Sequence, residues 1–154
     1  MRPLDATDRA ILHELQADGR ISNVQLAERV HLSESACLRR VRLLEESGVI
    51  DRFTMIVNQA AVGMPGNVFA EITLTSQKQE DLDRFEDAVR AVPEIMECYL
   101  ITGEYDYLLR VVARDTVDYE RIHHQHLTHL PGVARVKTSF TLRTVAKKTE
   151  LPLI

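Results

Sequence analysis

The chain has 154 residues, a net charge of −4 and 45% hydrophobic residues. This length suits one ordinary domain or two small ones, and the composition is globular rather than disordered. No apolar run approaches the ~18 residues that a membrane helix requires. The N-terminus lacks the apolar core of a secretory signal, so we expect a cytoplasmic protein with no membrane partner. The acidic balance argues against a nucleic-acid coat protein, but it leaves room for a local basic surface.

Two short helices are predicted near the N-terminus. Asp5 is a candidate N-cap for the first helix, which Gly19 ends. Ser22 and Gln25 have the spacing of a capping box at the start of the second helix, which runs to about Val30. The caps predict where each helix starts independently of any tertiary contact.

A third helix is predicted from Ser33 to Gly48, where a left-handed residue is expected. Three or four residues separate it from the second helix, which is the helix-turn-helix arrangement. Residues 49–57 have a strand-like pattern, and residues 58–67 are rich in turn formers. We place a domain boundary in this linker, so that residues 1–60 form an N-terminal domain and residues 61–154 a second one.

The second domain alternates between strand and helix periodicity. The predicted order is strand, helix, strand, strand, helix, strand, at 67–75, 82–92, 95–102, 106–113, 119–130 and 133–144. This α+β order is the ferredoxin-like βαββαβ arrangement. Two helices on one side of four antiparallel strands leave the other face bare. We expect Phe69, Tyr99 and Leu109 on that face, and a bare face with such residues implies a partner.

The third helix carries the residues expected to bind DNA. On a helical wheel Cys37, Val41 and Leu44 form the buried side, and an arginine-bearing face lies opposite. The exposed face of such a helix enters the major groove, where arginine can bind guanine or a phosphate. The candidate DNA-binding residues are Ser33, Glu34, Ser35, Leu38, Arg39, Arg40 and Arg42. Arg40 lies at the flank of the buried face, so an internal ion pair is an equal alternative for it.

Several stretches resemble the Lrp/AsnC family of leucine-responsive and asparagine-type regulators. They include LDATDRAIL at 4–12, LEESGVI at 44–50, CYLITGEYDYLL at 98–109 and LPGV at 130–133. The resemblance covers nearly the whole chain. It implies a winged or extended helix-turn-helix joined to a ferredoxin-like effector domain, and dimers that assemble into octamers. It also implies an amino acid bound between dimers near residues 103–106.

The chemistry of this hairpin suits a free amino acid. Gly103 allows a close backbone approach to a carboxylate, and Asp106 can accept hydrogen bonds from an ammonium group or else simply stabilise the hairpin. Ser139 and Thr141 share one face of the last strand and can complete the pocket from a neighbouring strand or subunit. The candidate effector-binding residues are Thr102, Gly103, Glu104, Tyr105, Asp106, Ser139 and Thr141.

The remaining signals favour a protein without catalytic or metal-binding residues and without a cofactor. Cys37 and Cys98 lack C-x-x-C spacing and are interpreted as reduced, buried thiols. The histidine series His123, His126 and His129, with His124 adjacent, lacks a completing ligand, so packing or surface roles are favoured over a metal. Two alternatives stay open: a tetrapyrrole (siroheme) decarboxylase on this fold, and an amino-acid sensor without DNA binding. The main prediction is a regulator that binds a palindromic DNA operator as a homo-oligomer and responds to an amino acid.

Overall fold

The computed structural model describes residues 3–153 and divides them into two compact units. The first unit contains the chain up to Ile56 together with the segment from Val145 onward, and the second spans Val57–Thr144. The sequence placed the boundary after residue 60 and assigned everything beyond it to the second domain. The predicted domains include Met1, Arg2 and Ile154, which lie outside the described residues. The segment from Val145 thus belongs to the first unit. No local sequence pattern indicates that the chain returns to this unit.

Three helices form the first unit: α1 (Ala6–Ala17), α2 (Asn23–Arg29) and α3 (Glu34–Glu46). Asp5 caps α1, and Ser22 and Gln25 form the capping box at α2, as the sequence predicted. Gly48 follows the C-cap Ser47 of α3 and has a φ of 72°, which confirms the left-handed residue expected at the end of this helix. The three predicted helices are therefore confirmed.

The first unit has its own hydrophobic core. Ile11 from α1, Leu26 from α2 and Cys37 from α3 are almost fully buried. Leu153 packs against this core from the C-terminal segment. Gln16 holds the same segment through both amide atoms, because Nε2 donates to the Leu151 carbonyl at 3.2 Å and Oε1 accepts from the Leu151 amide at 2.7 Å. The C-terminal segment is thus a structural part of the helical unit.

The strand predicted over residues 49–57 is wrong. These residues form no strand, although Phe53, Met55, Ile56 and Val57 have the composition of one. All four side chains are at least 48% exposed. A strand needs a hydrogen-bonded neighbour, and no part of the described chain supplies one here.

The second unit is a four-stranded antiparallel sheet with two helices. Its strands are β1 (Gly66–Leu74), β2 (Ile95–Leu100), β3 (Tyr107–Ala113) and β4 (Val133–Phe140), in the spatial order β2-β3-β1-β4. Its helices are α4 (Gln79–Arg90) and α5 (Thr116–Gln125), and a short 3₁₀ turn follows at Leu127–His129. This is the ferredoxin-like arrangement that the sequence predicted. β4 ends at Phe140 rather than at residue 144, and α5 ends at Gln125 rather than at residue 130.

The core of the second unit lies between the sheet and its helices. Ile72 of β1, Phe85 of α4 and Ile122 of α5 are fully buried in it. Leu109 is also fully buried there, so its prediction for the bare face is wrong. It pairs with Ala70 on β1, and side chains alternate along a strand, so Leu109 points to the helices.

The opposite face of the sheet is open in a single chain. Phe69 is 37% exposed and Tyr99 is 52% exposed on this face, as expected. Between them the Arg110 guanidinium pairs with Glu97 at 2.7 Å. Within residues 3–153, no helix has both the length and the apolar character needed to cross a membrane.

Candidate functional site

The exposed face of α3 is the first candidate site. The Ser33 hydroxyl accepts the Ala36 amide and starts the helix, and Asn23 of α2 donates to the Glu34 carbonyl at 2.9 Å. Cys37 is fully buried and Leu44 is 4% exposed, so the predicted inward side is confirmed. These contacts fix the rotation of α3 and leave its other side exposed.

Most of the residues predicted to contact DNA lie on that exposed side. Glu34, Ser35, Arg39 and Arg42 are exposed, and Leu38 is 40% exposed. Across the described range 3–153, no carboxylate forms an ion pair with Arg39 or Arg42. Two guanidinium groups therefore project from α3 with their donors available for an anionic or hydrogen-bonding partner.

Arg40 points the other way. Its Nη1 atom lies 2.7 Å from a carboxylate oxygen of Asp5 and 2.7 Å from one of Asp8. The hydrogen bond to Asp5, followed by that to Asp8, raises the pKa of the Arg40 guanidinium above its ordinary value. The structure supports the internal ion-pair alternative for Arg40. No local sequence pattern indicates its partner Asp8, because the two residues are 32 positions apart.

The turn between α2 and α3 contains one backbone position that favours glycine. His31 has a φ of 54°, the only positive φ of a non-glycine residue in the part of the chain that the structure describes. Its amide donates to the Glu28 carbonyl at 3.2 Å, and the Leu32 amide donates to the Ala27 carbonyl at 2.9 Å. The turn therefore closes with normal hydrogen bonds despite the histidine.

The β2–β3 hairpin is the second candidate site. Thr102, Gly103 and Glu104 are exposed, and Tyr105 is half-buried. Gly103 has a φ of 136°, and a side chain added there would meet no atom within 4 Å. The backbone at the tip is thus accessible to a ligand, and its conformation is one that other residues rarely adopt.

Asp106 lies at the base of this hairpin and is only 7% exposed. One carboxylate oxygen accepts the Leu74 amide at 2.7 Å, and the other accepts the Gln77 side-chain amide at 2.6 Å. Its own amide donates to the Ile72 carbonyl at 2.9 Å. These bonds tie the hairpin to the end of β1, so they support the stabilising role that the sequence left open for Asp106.

Ser139 and Thr141 do not join the hairpin within one chain. Ser139 pairs with Phe69, and the Thr141 amide donates to the Asn67 carbonyl, near the start of β1. The hairpin instead adjoins the other end of β1, where Tyr107 pairs with Ile72. The two groups of predicted effector residues therefore lie toward opposite ends of the sheet.

The cysteines and histidines form neither a disulfide nor a ligand cluster in residues 3–153. Cys37 is buried and Cys98 is half-buried, and both are free thiols. His126 follows α5, and the His129 Nδ1 atom lies 3.2 Å from the Thr128 hydroxyl. The His123 ring centre lies 6.1 Å from that of Tyr119.

Comparison with known proteins agrees with this architecture. Residues 4–51 match the family model of a winged helix-turn-helix DNA-binding domain, and residues 67–151 match that of the Lrp/AsnC ligand-binding domain. The leucine-responsive regulatory protein of Escherichia coli K12 is 41% identical over 97% of this chain and 92% of its own length. The transcriptional regulator AzlB of Bacillus subtilis is 37% identical over 97% and 96%.

Solved structures give the same result. A transcriptional regulator from Neisseria meningitidis, solved in complex with L-methionine, is 34% identical with a TM-score of 0.92, and the match covers 97% of both chains. An AsnC family regulator from Agrobacterium tumefaciens is 35% identical with the same TM-score and coverage. With a helix-turn-helix unit, a ligand-binding unit and relatives similar over almost its whole length, this chain belongs to the Lrp/AsnC family of transcriptional regulators.

Proposed function

We propose that this protein is a sequence-specific DNA-binding regulator of amino-acid-related metabolism, and that a free amino acid changes its affinity for an operator. The observation that carries the DNA-binding part is the exposed face of α3, where Arg39 and Arg42 lack carboxylate partners in residues 3–153. A guanidinium can bind guanine O6 and N7 together or clamp a phosphate. Ser33, Glu34, Ser35 and Leu38 precede these arginines in the N-terminal half of the helix, which is the half that meets base edges in helix-turn-helix proteins. Duplex DNA as the partner implies action in the cytoplasm of a bacterial cell.

The hairpin supports the amino-acid part of the proposal. Backbone amides around Gly103 lie at its exposed tip, where they can donate to a carboxylate. Asp106 stabilises the base of the hairpin through its bond to the Leu74 amide. The Neisseria relative was solved with L-methionine, which is a free amino acid. Thr102, Glu104 and Tyr105 are the further contacts that we propose, whereas Ser139 and Thr141 can take part only from a second copy of the chain.

Self-association fits the surfaces that a single chain leaves exposed. Phe69 and Tyr99 lie on the open face of the sheet, and within residues 3–153 the exposed Phe53 and the apolar residues 55–57 have no strand partner. We propose a homodimer with a twofold axis, further assembly to an octamer and a roughly palindromic operator. Light scattering after gel filtration tests this, since a stable monomer at micromolar concentration would contradict it.

The DNA-binding role is tested by replacing Arg39 and Arg42 with glutamine together. We expect a loss of about 1–3 kcal/mol of specific binding free energy per lost contact, with folding and assembly unchanged. The matched control replaces Lys78 and Arg84 of the second unit, which removes two positive charges far along the chain from α3. Electrophoretic retardation at several salt concentrations measures both variants, and wild-type binding should fall steeply as salt rises. Equal affinity of the α3 variant and the control would refute the proposed interface.

The effector role is tested by adding the amino acids one at a time and following the melting temperature. A ligand that binds only the folded state raises it. Replacing Gly103 with alanine should reduce this rise, because the left-handed backbone at φ 136° is costly for alanine. Gly63→Ala is the matched control, since Gly63 has a φ of 77° and equally open surroundings outside the hairpin. If the two variants respond to the effector alike, the hairpin is not its site.

A further inference from the structure

A groove lies between the outer side of α1 and the C-terminal segment of the first unit. Its volume is about 870 Å³, within the range typical of small-molecule sites. Arg9 and His13 line it from α1, and Lys147 and Lys148 line it from the segment. All four side chains are basic, and the only carboxylate among the described lining residues is that of Glu150. These five residues define the basic groove.

The basic groove keeps its shape through contacts that lie outside its charged residues. The Gln16 side chain forms two hydrogen bonds with the Leu151 backbone, at 3.2 Å and 2.7 Å. Leu153 packs against the hydrophobic core of the first unit. These contacts hold the C-terminal segment against α1 directly after Glu150. The exposed lysines of the groove can therefore be replaced without removing the contacts that position the segment.

The cations of the basic groove have no anionic partner inside the described chain. Within residues 3–153, no carboxylate forms an ion pair with Arg9, Lys147 or Lys148. In the same range the Arg9 side chain forms a single hydrogen bond, from Nη1 to the Leu4 carbonyl at 2.7 Å, so most of its five N–H donors are available. Like charges gathered without a counter-charge repel each other, so binding of an anion stabilises this surface.

Backbone donors add to these charges. Residues 147–150 form neither helix nor strand. No acceptor in the part of the chain that the structure describes receives their amide hydrogens. Consecutive amides without a protein acceptor, next to cations, can donate to the oxygens of an anion such as a phosphate group.

The basic groove lies away from the surface proposed to bind DNA. Asp8 is buried on the inner side of α1, and Arg40 of α3 contacts it there. His13 follows five residues later, about 140° around the helix, and is exposed on the outer side. α3 thus packs against the side of α1 that faces away from the groove. We therefore expect the anion to be a ligand other than the duplex that α3 binds.

We propose that the basic groove binds the oligophosphate group of a small molecule, which is a ligand separate from the amino-acid effector. The basic residues of α1 contact one part of the phosphate chain, and the lysines of the segment contact another. Several negative charges in a row match cations that come from two segments, whereas a single carboxylate can pair with fewer of them. Ala10 and Pro152 also line the groove and provide apolar surface for the rest of the molecule.

Calorimetric titration of the full-length protein tests this proposal with inorganic tripolyphosphate and with ATP, at low salt and without divalent metal. We expect one site per chain for both ligands. Replacing Lys147 and Lys148 with glutamine together should weaken binding about tenfold, because two cations leave the groove. The matched control replaces Arg20 and Arg52 with glutamine, which removes two positive charges from exposed positions of the same unit. This control should keep the wild-type affinity.

Glu150→Gln should have the opposite effect. It removes the carboxylate that repels the ligand, so tripolyphosphate should bind about threefold more tightly. Glu28→Gln, an exposed carboxylate of α2, should leave the affinity unchanged. An equal effect of the two substitutions would mean that the ligand responds to the overall charge of the protein and not to the groove, which would contradict the proposal.

Competition with DNA distinguishes the two sources of phosphate. Wild-type protein saturated with a duplex that it retards should still bind tripolyphosphate, and the lysine variant should retard the duplex as the wild type does. Displacement of tripolyphosphate by the duplex, or weaker retardation of the lysine variant, would assign the groove to the DNA backbone. Either result would overturn the proposal of a small-molecule ligand.

Three further results would overturn the proposal. They are the absence of tripolyphosphate binding to the wild type, equal affinities of the lysine variant and its control, and loss of binding when Arg39 and Arg42 are replaced with glutamine. The last result would place the ligand on α3. Retardation of the duplex by the wild type is measured separately, so these failures leave the proposed DNA-binding function intact.

Discussion

The same short motif opens one helix in each of the two units. α1 begins after Asp5 and α5 after Asp115, and in both helices a second aspartate follows three residues later. The first aspartate of each pair accepts the amide of the second. The second aspartate is buried in both cases, with Asp8 1% and Asp118 5% exposed. A buried carboxylate needs a cation or several hydrogen bonds, so the two helices present the same local requirement.

The two units meet this requirement differently. Asp8 contacts Arg40, a cation that comes from α3, 32 residues along the chain. The cations of Asp118 are Arg114 and Arg121, which lie four residues before it and three after it. The motif in α1 is thus a tertiary connection that positions α3, whereas the motif in α5 is mainly a local one. Such a motif affects one helix when its cation is close in sequence. It affects the packing of two helices when its cation comes from a distant helix.

The two units also differ in the number and the pairing of their positively charged residues. Residues 57–144 contain nine Lys or Arg against thirteen Asp or Glu, and the rest of the chain contains ten of each. Many arginines of the second unit pair with its own carboxylates, as Arg110 does with Glu97 and Arg121 with Glu94. Arg39 and Arg42 on α3 have no such partner in residues 3–153. The acidic net charge of the protein therefore belongs to the ligand-binding unit and leaves the DNA-binding unit neutral.

The largest effect is expected for Asp8→Ala. It removes the buried carboxylate that connects α1 to α3, and we expect the free energy of unfolding of the first unit to fall by about 2 kcal/mol. DNA binding should weaken in parallel, since Arg40 loses one of its two partners. Urea unfolding followed by circular dichroism measures the change, and Asp18→Ala is the control because Asp18 is exposed at the end of the same helix. Equal stability of the two variants would show that the connection contributes nothing.

The helices of the first unit could be predicted because their signals are local. Asp5, Ser22 and Gln25 lie within one turn of the helix starts that they cap, and the inward side of α3 follows from its period alone. The order of strands and helices in the second unit follows from the same kind of signal. The exposed position of Arg39 and Arg42 was predicted by the wheel for the same reason.

The missed features depend on residues that are distant in sequence. The predicted strand at 49–57 requires a partner strand that its composition cannot supply. Leu109 was assigned to the wrong face because a strand of alternating residues does not reveal which side the helices cover. Neither the amide pair between Gln16 and Leu151 nor the contact between Asp106 and Leu74 follows a local period, since 135 and 32 residues separate the partners.

A smaller effect that depends on pH is expected at Asp118. Hydrogen bonds from Arg114, and then from Arg121, hold the pKa of this carboxyl below its ordinary value of 3.8. A carboxyl whose pKa is lower in the folded state stabilises the fold above its unfolded pKa, and this contribution is lost as the pH falls below about 4. The stability difference between wild type and Asp118→Asn should therefore be constant from about pH 7 to 5 and shrink toward pH 3. Glu120→Gln, an exposed neighbour, should show no such trend in denaturant titrations.

The smallest effect is expected for Arg114→Gln, and it tests the contrast between the two motifs most directly. Arg114 contributes one side-chain bond of 3.1 Å to Asp118, but its backbone amide still donates to the other carboxylate oxygen at 3.0 Å. Arg121 also stays in place, with its Nε atom 3.1 Å from Asp118. The buried carboxylate therefore keeps a cation and an amide donor after the substitution. We expect the melting temperature to change little.

Arg40→Gln is the counterpart in the first unit, and there the guanidinium contacts Asp5 and Asp8 at once. Its removal leaves Asp8 buried without this cation, so the melting temperature should fall clearly more than for Arg114→Gln. The two variants are compared by calorimetry under one buffer condition, with DNA retardation as a second measurement that only Arg40→Gln should affect. Equal decreases in melting temperature would mean that the distant cation of α1 and the local cations of α5 contribute equally to stability. The contrast between a tertiary and a local motif would then be wrong.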